Sequence, residues 1–408
     1  MAQDSDIIIA GGALNGSALA LALAGSGLSV SVVDPVAPAD QAADGFDGRG
    51  YALALTSQRL LQAIGVWGNV AEHAQPLLEI KITDGRAGEG PSPFVLEFDH
   101  AEIEEGPMGY MVEDRYLRRA LSAALETNPR IALVTGDKVV EQRVGPGRVA
   151  AVLASGRTLN GAVLVGCDGR RSQVATRAGI KRSGWDYGQT ALVCAISHER
   201  PHHGIAHQFF MPPGPLAILP LPGNQSSIVW TESHDEAARI NALGDAAYLD
   251  VLRPRFGDFL GEISLAGARF TYPLNLTIAN SFVAERVALV GDAAHGMHPI
   301  AGQGLNAGLK DVAALAEVLA LAKRRGEDIG RIDVLERYQR WRRFDVMTLA
   351  AATDAVNKLF SNDNSLIRLG RDLGLGVVNA LPGLRRSFIR EAAGLTGELP
   401  RLLQGRAV

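Results

Sequence analysis

Apolar runs followed at once by glycine-rich turns recur along the chain and predict buried parallel strands. Asp6 to Ala10 is a β-branched run, a helix of small and apolar residues is predicted from Ser17 to Ala24, and Leu28 to Val33 predicts a second strand. This order is a βαβ unit. Much later, Val287 to Val290 repeats the buried-strand pattern before a long helix predicted over Gly304 to Arg325.

The middle of the chain has a different pattern. From about 184 to 273, short strand-like runs alternate with proline-rich turns, which predicts a second, β-rich domain. We therefore expect an α/β and α+β fold: a Rossmann-like dinucleotide-binding domain, a β-sheet substrate domain and C-terminal helices. The predicted division is 1–76, 107–182 and 280–345 for the first domain, 77–106 and 183–279 for the second, and 346–408 for the helical region.

Composition narrows the function classes. The 408 residues carry a formal charge of −4, so general affinity for nucleic acid is not expected. The two cysteines, Cys167 and Cys194, are too few for a disulfide framework and favour a reducing, cytoplasmic setting. The leader MAQDSD is acidic, which argues against a signal peptide.

The segment GGALNG lies directly between the first strand and the first helix. A dinucleotide fold needs glycine at the first and sixth positions and little bulk at the third, here Gly11, Gly16 and Ala13. Ala13 replaces the usual glycine. Asp34 ends the second strand, where a carboxylate can accept hydrogen bonds from ribose hydroxyls. A ligand-free glycine turn is the less favoured interpretation.

Two further glycine–acid segments follow predicted strands. CDG places Asp168 in a tight turn, which by itself is commonly only structural. GDAAHGMHPIAGQGLN places Asp292 at a strand end, and Pro299, Gly302 and Gly304 then lead into the long helix. The histidines of this segment, His295 among them, have two interpretations. They are catalytic bases or, as the more favoured interpretation, loop residues that shape the turn. Together the three segments favour a flavin enzyme over a nicotinamide dehydrogenase.

These segments, in this order, resemble the flavin-dependent aromatic hydroxylases of the para-hydroxybenzoate hydroxylase class. The closer resemblance is to the ubiquinone-biosynthesis hydroxylases, which act on polyprenylated phenols. The resemblance extends over nearly the whole chain. It rests on the segments DGRGYALALTSQRLLQAIGVW, VEDRYLRRAL, GPLAILPL, RVALVGDAAHGMHPIAGQGLNAGLKD and LFSNDNSLIRLGRDLGL.

The resemblance implies a role for each matching residue. The ADP half of FAD would be held by the first segment and Asp34, and the ribityl chain by Asp292. Arg49 and Arg115 would contact the phosphate and ribityl region, and Pro299 and Gly302 to Asn306 would line the isoalloxazine ring. The full predicted cofactor set is Gly11, Ala13, Gly16, Asp34, Arg49, Arg115, Asp168, Asp292, Pro299, Gly302, Gln303, Gly304, Leu305 and Asn306. Leu216, Ile218 and Pro220 would line the substrate pocket, and no metal site is expected because the histidines His202, His203 and His207 lack an acidic or cysteine partner.

The same resemblance implies the reaction. NAD(P)H would reduce bound FAD, molecular oxygen would add at flavin carbon 4a to give a hydroperoxide, and this electrophile would hydroxylate the ring of a polyprenylated phenol in ubiquinone biosynthesis. The alternatives are a flavin hydroxylase of a small soluble aromatic and a flavoprotein scaffold of a biosynthetic complex. The base is unassigned, with His298 and Tyr187 as candidates.

The C-terminal tail has its own charge pattern. Residues 358–408 carry eight Lys and Arg against four Asp and Glu, and Leu366, Leu369, Leu373, Val377 and Leu381 recur at near-helical spacing. The more favoured interpretation is a cap packed on the core. The other is a helix that contacts a membrane or other quinone-biosynthesis proteins, and helps a lipophilic substrate to enter.

Overall fold

The computed structural model describes residues 5–37, 48–88, 90–297, 303–360, 374 and 376–408. The helices are α1 Leu14–Gly25, α2 Leu55–Ala63, α3 Asp114–Glu126, α4 Gln173–Arg177, α5 His234–Asn241, α6 Asp245–Phe256, α7 Gln303–Arg324, α8 Ile332–Phe360 and α9 Pro382–Ala392. The strands are β1 Ile7–Ala10, β2 Val30–Asp34, β3 Gly50–Ala54, β4 Ala74–Leu77, β5 Glu79–Arg86, β6 Gly90–Asp99, β7 Gly109–Glu113, β8 Ile131–Thr135, β9 Val139–Gly145, β10 Arg148–Leu153, β11 Thr158–Gly161, β12 Val163–Gly166, β13 Arg182–His198, β14 Ile205–Met211, β15 Gly214–Leu221, β16 Gln225–Ser233, β17 Ile263–Leu265, β18 Phe270–Ala279, β19 Val283–Ala284, β20 Val287–Leu289 and β21 His295–Gly296.

A six-stranded sheet in the order β19-β20-β12-β1-β2-β8 forms the centre of the Rossmann-like part. All of its neighbours pair in parallel except β19 with β20. β1 is fully buried within one large apolar cluster that also includes residues of α1, α7, β10 and β11. Parallel strands place their carboxyl ends at one edge, so the turns after β1, β12 and β20 meet there.

A larger sheet runs in the order β21-β18-β13-β16-β15-β14-β5-β6, and β17 pairs with β13 off this path. Helices α5 and α6 pack on one side of it through Ile240, Tyr248 and Leu252. The sequence pattern had indicated strands and turns throughout this region and missed both helices. Ser233 marks the start of α5, because its hydroxyl accepts a hydrogen bond from the Glu236 amide.

The other side of the large sheet faces the rest of the molecule. Two apolar clusters join it there: Leu221 and Ala206 pack with Met111 of β7, and Phe210 packs with Phe360 at the end of α8. We call this side the inner face of the large sheet. The predicted combination of a Rossmann-like domain, a β-sheet domain and C-terminal helices is confirmed, while the domain boundaries given above stay a prediction.

No helix in the described part of the chain combines the length and the apolar character needed to cross a membrane.

Candidate active site

The three glycine–acid segments meet at the carboxyl edge of the six-stranded sheet. Gly11 follows β1, Asp168 follows β12 and Asp292 follows β20, and these three strands are consecutive neighbours in the order β20-β12-β1. Segments separated by more than a hundred residues thus lie side by side. The fold therefore brings together the motifs that the sequence had placed far apart.

The first segment has the close packing that its glycines predict. A Cβ atom added at Gly16 would collide with the carbonyl oxygen of Gly11, so a larger residue would separate helix α1 from β1. Ala13 is the N-cap of α1 and its side chain caps nothing, which leaves the first amides of the helix available. The Asp34 carboxylate accepts a hydrogen bond of 2.6 Å from the Gly12 amide, which fixes it beside the turn.

Asn15 joins the first and the last segments, a role that the sequence analysis did not assign. A Cβ at Gly291 or at Gly308 would clash with the Asn15 side chain, so both glycines let this amide fit between the Asp292 turn and helix α7. The Asn15 Oδ1 atom is buried and has no hydrogen-bond partner among the described residues. It is an acceptor near the point where the three segments converge.

Arg170 links the second and third segments. Its Nε atom donates to Asp292 Oδ2 at 3.2 Å, and its Nη1 atom donates to Asn275 Oδ1 at 3.3 Å. Both side chains of the Arg170–Asp292 pair are about two-fifths exposed, so they are accessible at the sheet edge rather than buried in the core. Asp168 uses its Oδ2 atom to accept from the amides at the start of α4, and its Oδ1 atom is buried without a partner in the described structure.

A buried ionic triad lies beneath the Asp292 turn. The fully buried Asp311 carboxylate accepts from His295 Nε2 at 2.6 Å, from Arg342 Nε at 2.8 Å and from the Gly291 amide at 3.0 Å. Burial by itself would raise the pKa of the Asp311 carboxyl, but the charges of His295 and Arg342 and their hydrogen bonds outweigh it and lower this pKa. The triad connects the turn to helices α7 and α8.

The start of helix α7 is fixed by Asn306. Its Oδ1 atom accepts from the Ala54 amide at 2.9 Å and from the Ser57 hydroxyl at 2.8 Å, and its Nδ2 atom donates to the Ala52 carbonyl at 2.8 Å. The side chain therefore holds α7 against β3 and α2. Gln303 and Leu305 lie in the same first turn, and the role of all three residues against a flavin ring stays a prediction.

The two predicted phosphate-binding arginines lie around the start of helix α3. Arg49 approaches the buried Asp114 at 3.4 Å and lies over the ring of Phe270, and Arg115 donates to Glu113 at 2.7 Å. Both side chains are thus held in place by neighbouring carboxylates. Their contact with a cofactor stays a prediction.

The residues at this edge fit a bound dinucleotide. The amides of α1 have no side-chain cap, Asp168 offers a buried oxygen that no described group satisfies, and a Cβ added at Gly304 would meet no atom of the described residues within 4 Å. Buried acceptors without partners are rare in folded proteins and commonly belong to ligand sites. Helix N-termini bind phosphate, so the donor set matches the phosphates and hydroxyls of FAD.

The predicted substrate-pocket residues lie on the side of β15 that faces away from this edge. Leu216 and Ile218 are fully buried and pack with Trp230 and Tyr248 beneath helices α5 and α6, and Pro220 alternates with them. Side chains alternate between the faces of a strand, so the partly exposed Ala217 and Leu219 are on the inner face. A lining role for the three predicted residues has no support in this packing and remains only a prediction.

Tyr187, one candidate base, borders a cavity of about 530 Å³. The lining residues are Trp185, Asp186, Tyr187, Gln189, Pro212, Pro213, Asn357 and Lys358. Burial and the nearby Asp354 carboxylate raise the pKa of Tyr187 to about 12, so the hydroxyl stays protonated at neutral pH. It is suited to donate a hydrogen bond rather than to remove a proton.

His298, Pro299 and Gly302 lie outside the described residues. His202 hydrogen-bonds to the Leu221 carbonyl through Nε2, and burial first, then Lys81, lowers the pKa of His207 to about 4. Within the described ranges, no group of three His, Cys, Asp or Glu side chains is arranged to hold a metal ion.

Known hydroxylases are similar to this chain over nearly its whole length. The model of the FAD binding domain family matches residues 4–352. The ubiquinone hydroxylase UbiL of Rhodospirillum rubrum is 46% identical over 404 residues, which cover 98% of this chain and 93% of that protein. The 3-demethoxyubiquinol 3-hydroxylase of Escherichia coli is 34% identical, with coverage of 96% and 99%.

Among solved structures, p-nitrophenol 4-monooxygenase PnpA from Pseudomonas putida DLL-E4 superposes with a TM-score of 0.79 at 19% identity. The match covers 98% of this chain and 100% of that one. At this identity the likeness concerns the fold.

Proposed function

This chain belongs to the FAD binding domain family, and on that premise we propose that it is an FAD-dependent, NAD(P)H-utilising monooxygenase that hydroxylates the aromatic ring of a polyprenylated phenol in ubiquinone biosynthesis. The observation that carries the proposal is the convergence of Gly11, Asp168 and Asp292 at one sheet edge. Apolar clusters pack at the inner face of the large sheet, and on this proposal the ring would bind there.

FAD, when bound, supplies the transfer of electrons from NAD(P)H and the activation of molecular oxygen. The protein's own residues bind and orient it. The first amides of α1 and the Asp34 carboxylate would hold the ADP half, and Asp292 the ribityl chain. The remaining predicted contacts come from Arg49, Arg115, Asp168, Pro299, Gly302, Gln303, Gly304, Leu305 and Asn306.

The second task of the protein is to keep water from the reacting centre, because water diverts activated oxygen to hydrogen peroxide. The apolar clusters around Leu221 and Phe210 border the inner face on two sides. Such walls favour a lipophilic ring over a charged one. This supports a prenylated phenol over a small, strongly polar aromatic.

The test is turnover by the purified FAD-loaded protein with a 2-prenylphenol, isotopically labelled dioxygen and either NADH or NADPH. We expect product that contains one labelled oxygen atom. Asp292→Asn should weaken FAD retention, whereas Asp333→Asn, at an exposed site in the first turn of α8, should leave it unchanged. A small soluble phenol used better than the prenylated one would favour the alternative substrate class, and FAD binding without NAD(P)H oxidation would favour a scaffold role.

We also propose a peripheral membrane contact through the outer side of helix α9. Leu384 and Phe388 lie one turn apart in this helix and are 42% and 45% exposed, and Val377 and Leu381, which precede the helix, are 56% and 50% exposed. The opposite side is packed as a cap, since Ile389 is fully buried there. Exposed apolar side chains in a tail of net positive charge suit an anionic lipid surface.

Vesicle flotation with anionic phospholipids tests this contact. The double variant Leu384→Ser and Phe388→Ser should float less than the parent protein. Val144→Ser, an equally exposed apolar position in strand β9, is the matched control. Equal flotation of all three proteins would leave α9 as a cap only. Leu366, Leu369 and Leu373 of the predicted amphipathic pattern lie outside the described residues.

A further inference from the structure

A row of partly exposed side chains crosses the inner face of the large sheet. Val193 pairs with Val229, Val229 with Ala217, Ala217 with Gln208, and Gln208 with Ile82, so the five residues are direct cross-strand neighbours on five strands. Each of the five is only partly buried. We call these five residues the inner row.

The other side of the three central strands β13, β15 and β16 is covered. The alternate residues Leu192, Leu216 and Ile228 are at most 1% exposed and belong to the cluster beneath α5 and α6. The strands of the inner row lie in the middle of the sheet rather than at its edges. Partial exposure at the centre of a sheet means that space remains above the row, between the apolar clusters of Leu221 and Phe210.

Strand β3 links the inner face to the carboxyl edge of the six-stranded sheet. A Cβ at Gly50 would lie in contact with Leu221, and the amide of Ala54 and the carbonyl of Ala52 bind Asn306 at the start of α7. Strand β3 therefore lies between the inner face and the helix end that is predicted to face the flavin ring. A ring placed over the inner row would be on the cofactor side of the sheet.

Gln208 is the one polar member of the inner row. Its Nε2 atom is buried and has no acceptor among the described residues. A buried amide without a partner destabilises a protein, so such groups usually have a ligand or a functional reason. The other four members are aliphatic, which leaves this amide as the only hydrogen-bonding side chain that the row presents.

We propose that the inner row is the floor on which the substrate ring lies, and that the Gln208 amide binds the oxygen substituent of that ring. The aliphatic side chains of Ile82, Ala217, Val229 and Val193 would contact the ring, and Gln208 would fix which ring edge lies toward the cofactor. The inference rests on the proposed function for the class of ligand, a phenol, and adds the residue that recognises its oxygen.

The test measures binding rather than turnover. The FAD-loaded protein is titrated with 2-prenylphenol and, separately, with prenylbenzene, which lacks the oxygen, and the perturbation of flavin absorbance gives each Kd. For the parent protein we expect the phenol to bind about three- to tenfold more tightly, the range of one net hydrogen bond. Gln208→Leu should bind both ligands with nearly the same Kd.

The preference ratio separates recognition from structure. If Gln208→Leu weakened both ligands equally and kept the preference, the residue would serve packing only and the proposal would be overturned. Gln208→Glu, which keeps a polar side chain but loses the amide donor in its ionised form, should also lose the preference. Gln62→Leu, the same change at an exposed position of α2, is the control and should retain it.

The proposed function fails on a different result. A parent protein that binds the phenol selectively through Gln208 but incorporates no labelled oxygen into it would contradict the hydroxylase assignment and leave the binding site standing. If the parent protein hydroxylates the phenol but Gln208→Leu keeps the preference for the phenol, the hydroxylase assignment stands and the proposed role of Gln208 is overturned.

Discussion

Replacing Asp311 by asparagine should destabilise the protein strongly, because it breaks a buried ionic triad. The carboxylate is fully buried and accepts hydrogen bonds from His295, Arg342 and the Gly291 amide. An asparagine has nearly the same shape but directs an N–H₂ donor at one of these donors. It also leaves the buried Arg342 guanidinium without its most buried counter-charge.

The magnitude follows from that burial. Removing one partner of a buried ion pair costs about 3–5 kcal/mol. With an unfolding entropy of ~2.1 cal/mol/K per residue, a chain of 408 residues would lose about 3–6 °C in Tm if it unfolds as one unit. The FAD-loaded variant should also release flavin at a lower temperature than the parent, since the Gly291 amide loses its charged acceptor.

Asp345→Asn is the matched control. Asp345 contacts the same arginine at 2.9 Å, but its side chain is 41% exposed, so its loss should cost at most about 1 kcal/mol. The assay is thermal unfolding followed by circular dichroism, with flavin fluorescence recorded in parallel. A Tm for Asp311→Asn equal to that of Asp345→Asn would refute the argument that the buried triad stabilises the turn.

Three further outcomes are expected. Because the pKa of Asp311 is lowered in the folded protein, its contribution to the free energy of unfolding is present above the unfolded pKa of about 3.9 and is lost as the pH falls through the folded pKa. The free energy of unfolding of Asp311→Asn should therefore fall less steeply with decreasing pH than that of the parent protein. An identical pH dependence in the two proteins would contradict this. Gly16→Ala should abolish FAD retention because the added methyl group collides with Gly11. Gly25→Ala, with no described atom near the added methyl group at the end of the same helix, should be neutral or slightly stabilising. The visible absorbance of the purified variants measures bound flavin, and a yellow Gly16→Ala protein would count against the packing argument. Tyr187→Phe should keep the pH profile of turnover between pH 6 and 9, since a hydroxyl with a pKa of about 12 does not titrate there, and loss of a limb of that profile would restore Tyr187 as the base.

The sequence predicted the cofactor edge better than the substrate site. Glycines and acids directly after buried strands have few structural alternatives, so Gly11, Asp34, Asp168 and Asp292 were identified together, and the fold places them at one edge or beside it. Asp311 was missed. A carboxylate among the apolar residues DVAALAEVLALA was the available signal, but its partner Arg342 is on the next helix, where no local pattern indicates it.

The strand GPLAILPL shows where sequence reasoning fails. Its two faces are both apolar, so the alternation that normally separates a buried face from an exposed one is absent. Leu216 and Ile218 were chosen for a pocket, yet they pack beneath α5 and α6, two helices that the pattern had not predicted. The partly exposed Ala217 became recognisable only once both sides of the sheet were known.

The sequence alone determined the nature of the cofactor site, since a dinucleotide turn depends on local backbone geometry and on glycines whose packing is specified by the neighbouring residues. The tertiary structure decided which face of the large sheet meets the cofactor edge, where the buried charges pair, and that the Gln208 amide has no acceptor within the described part of the chain. These properties arise from contacts between residues distant along the chain, and periodicity within one segment carries no information about which distant surface will cover it.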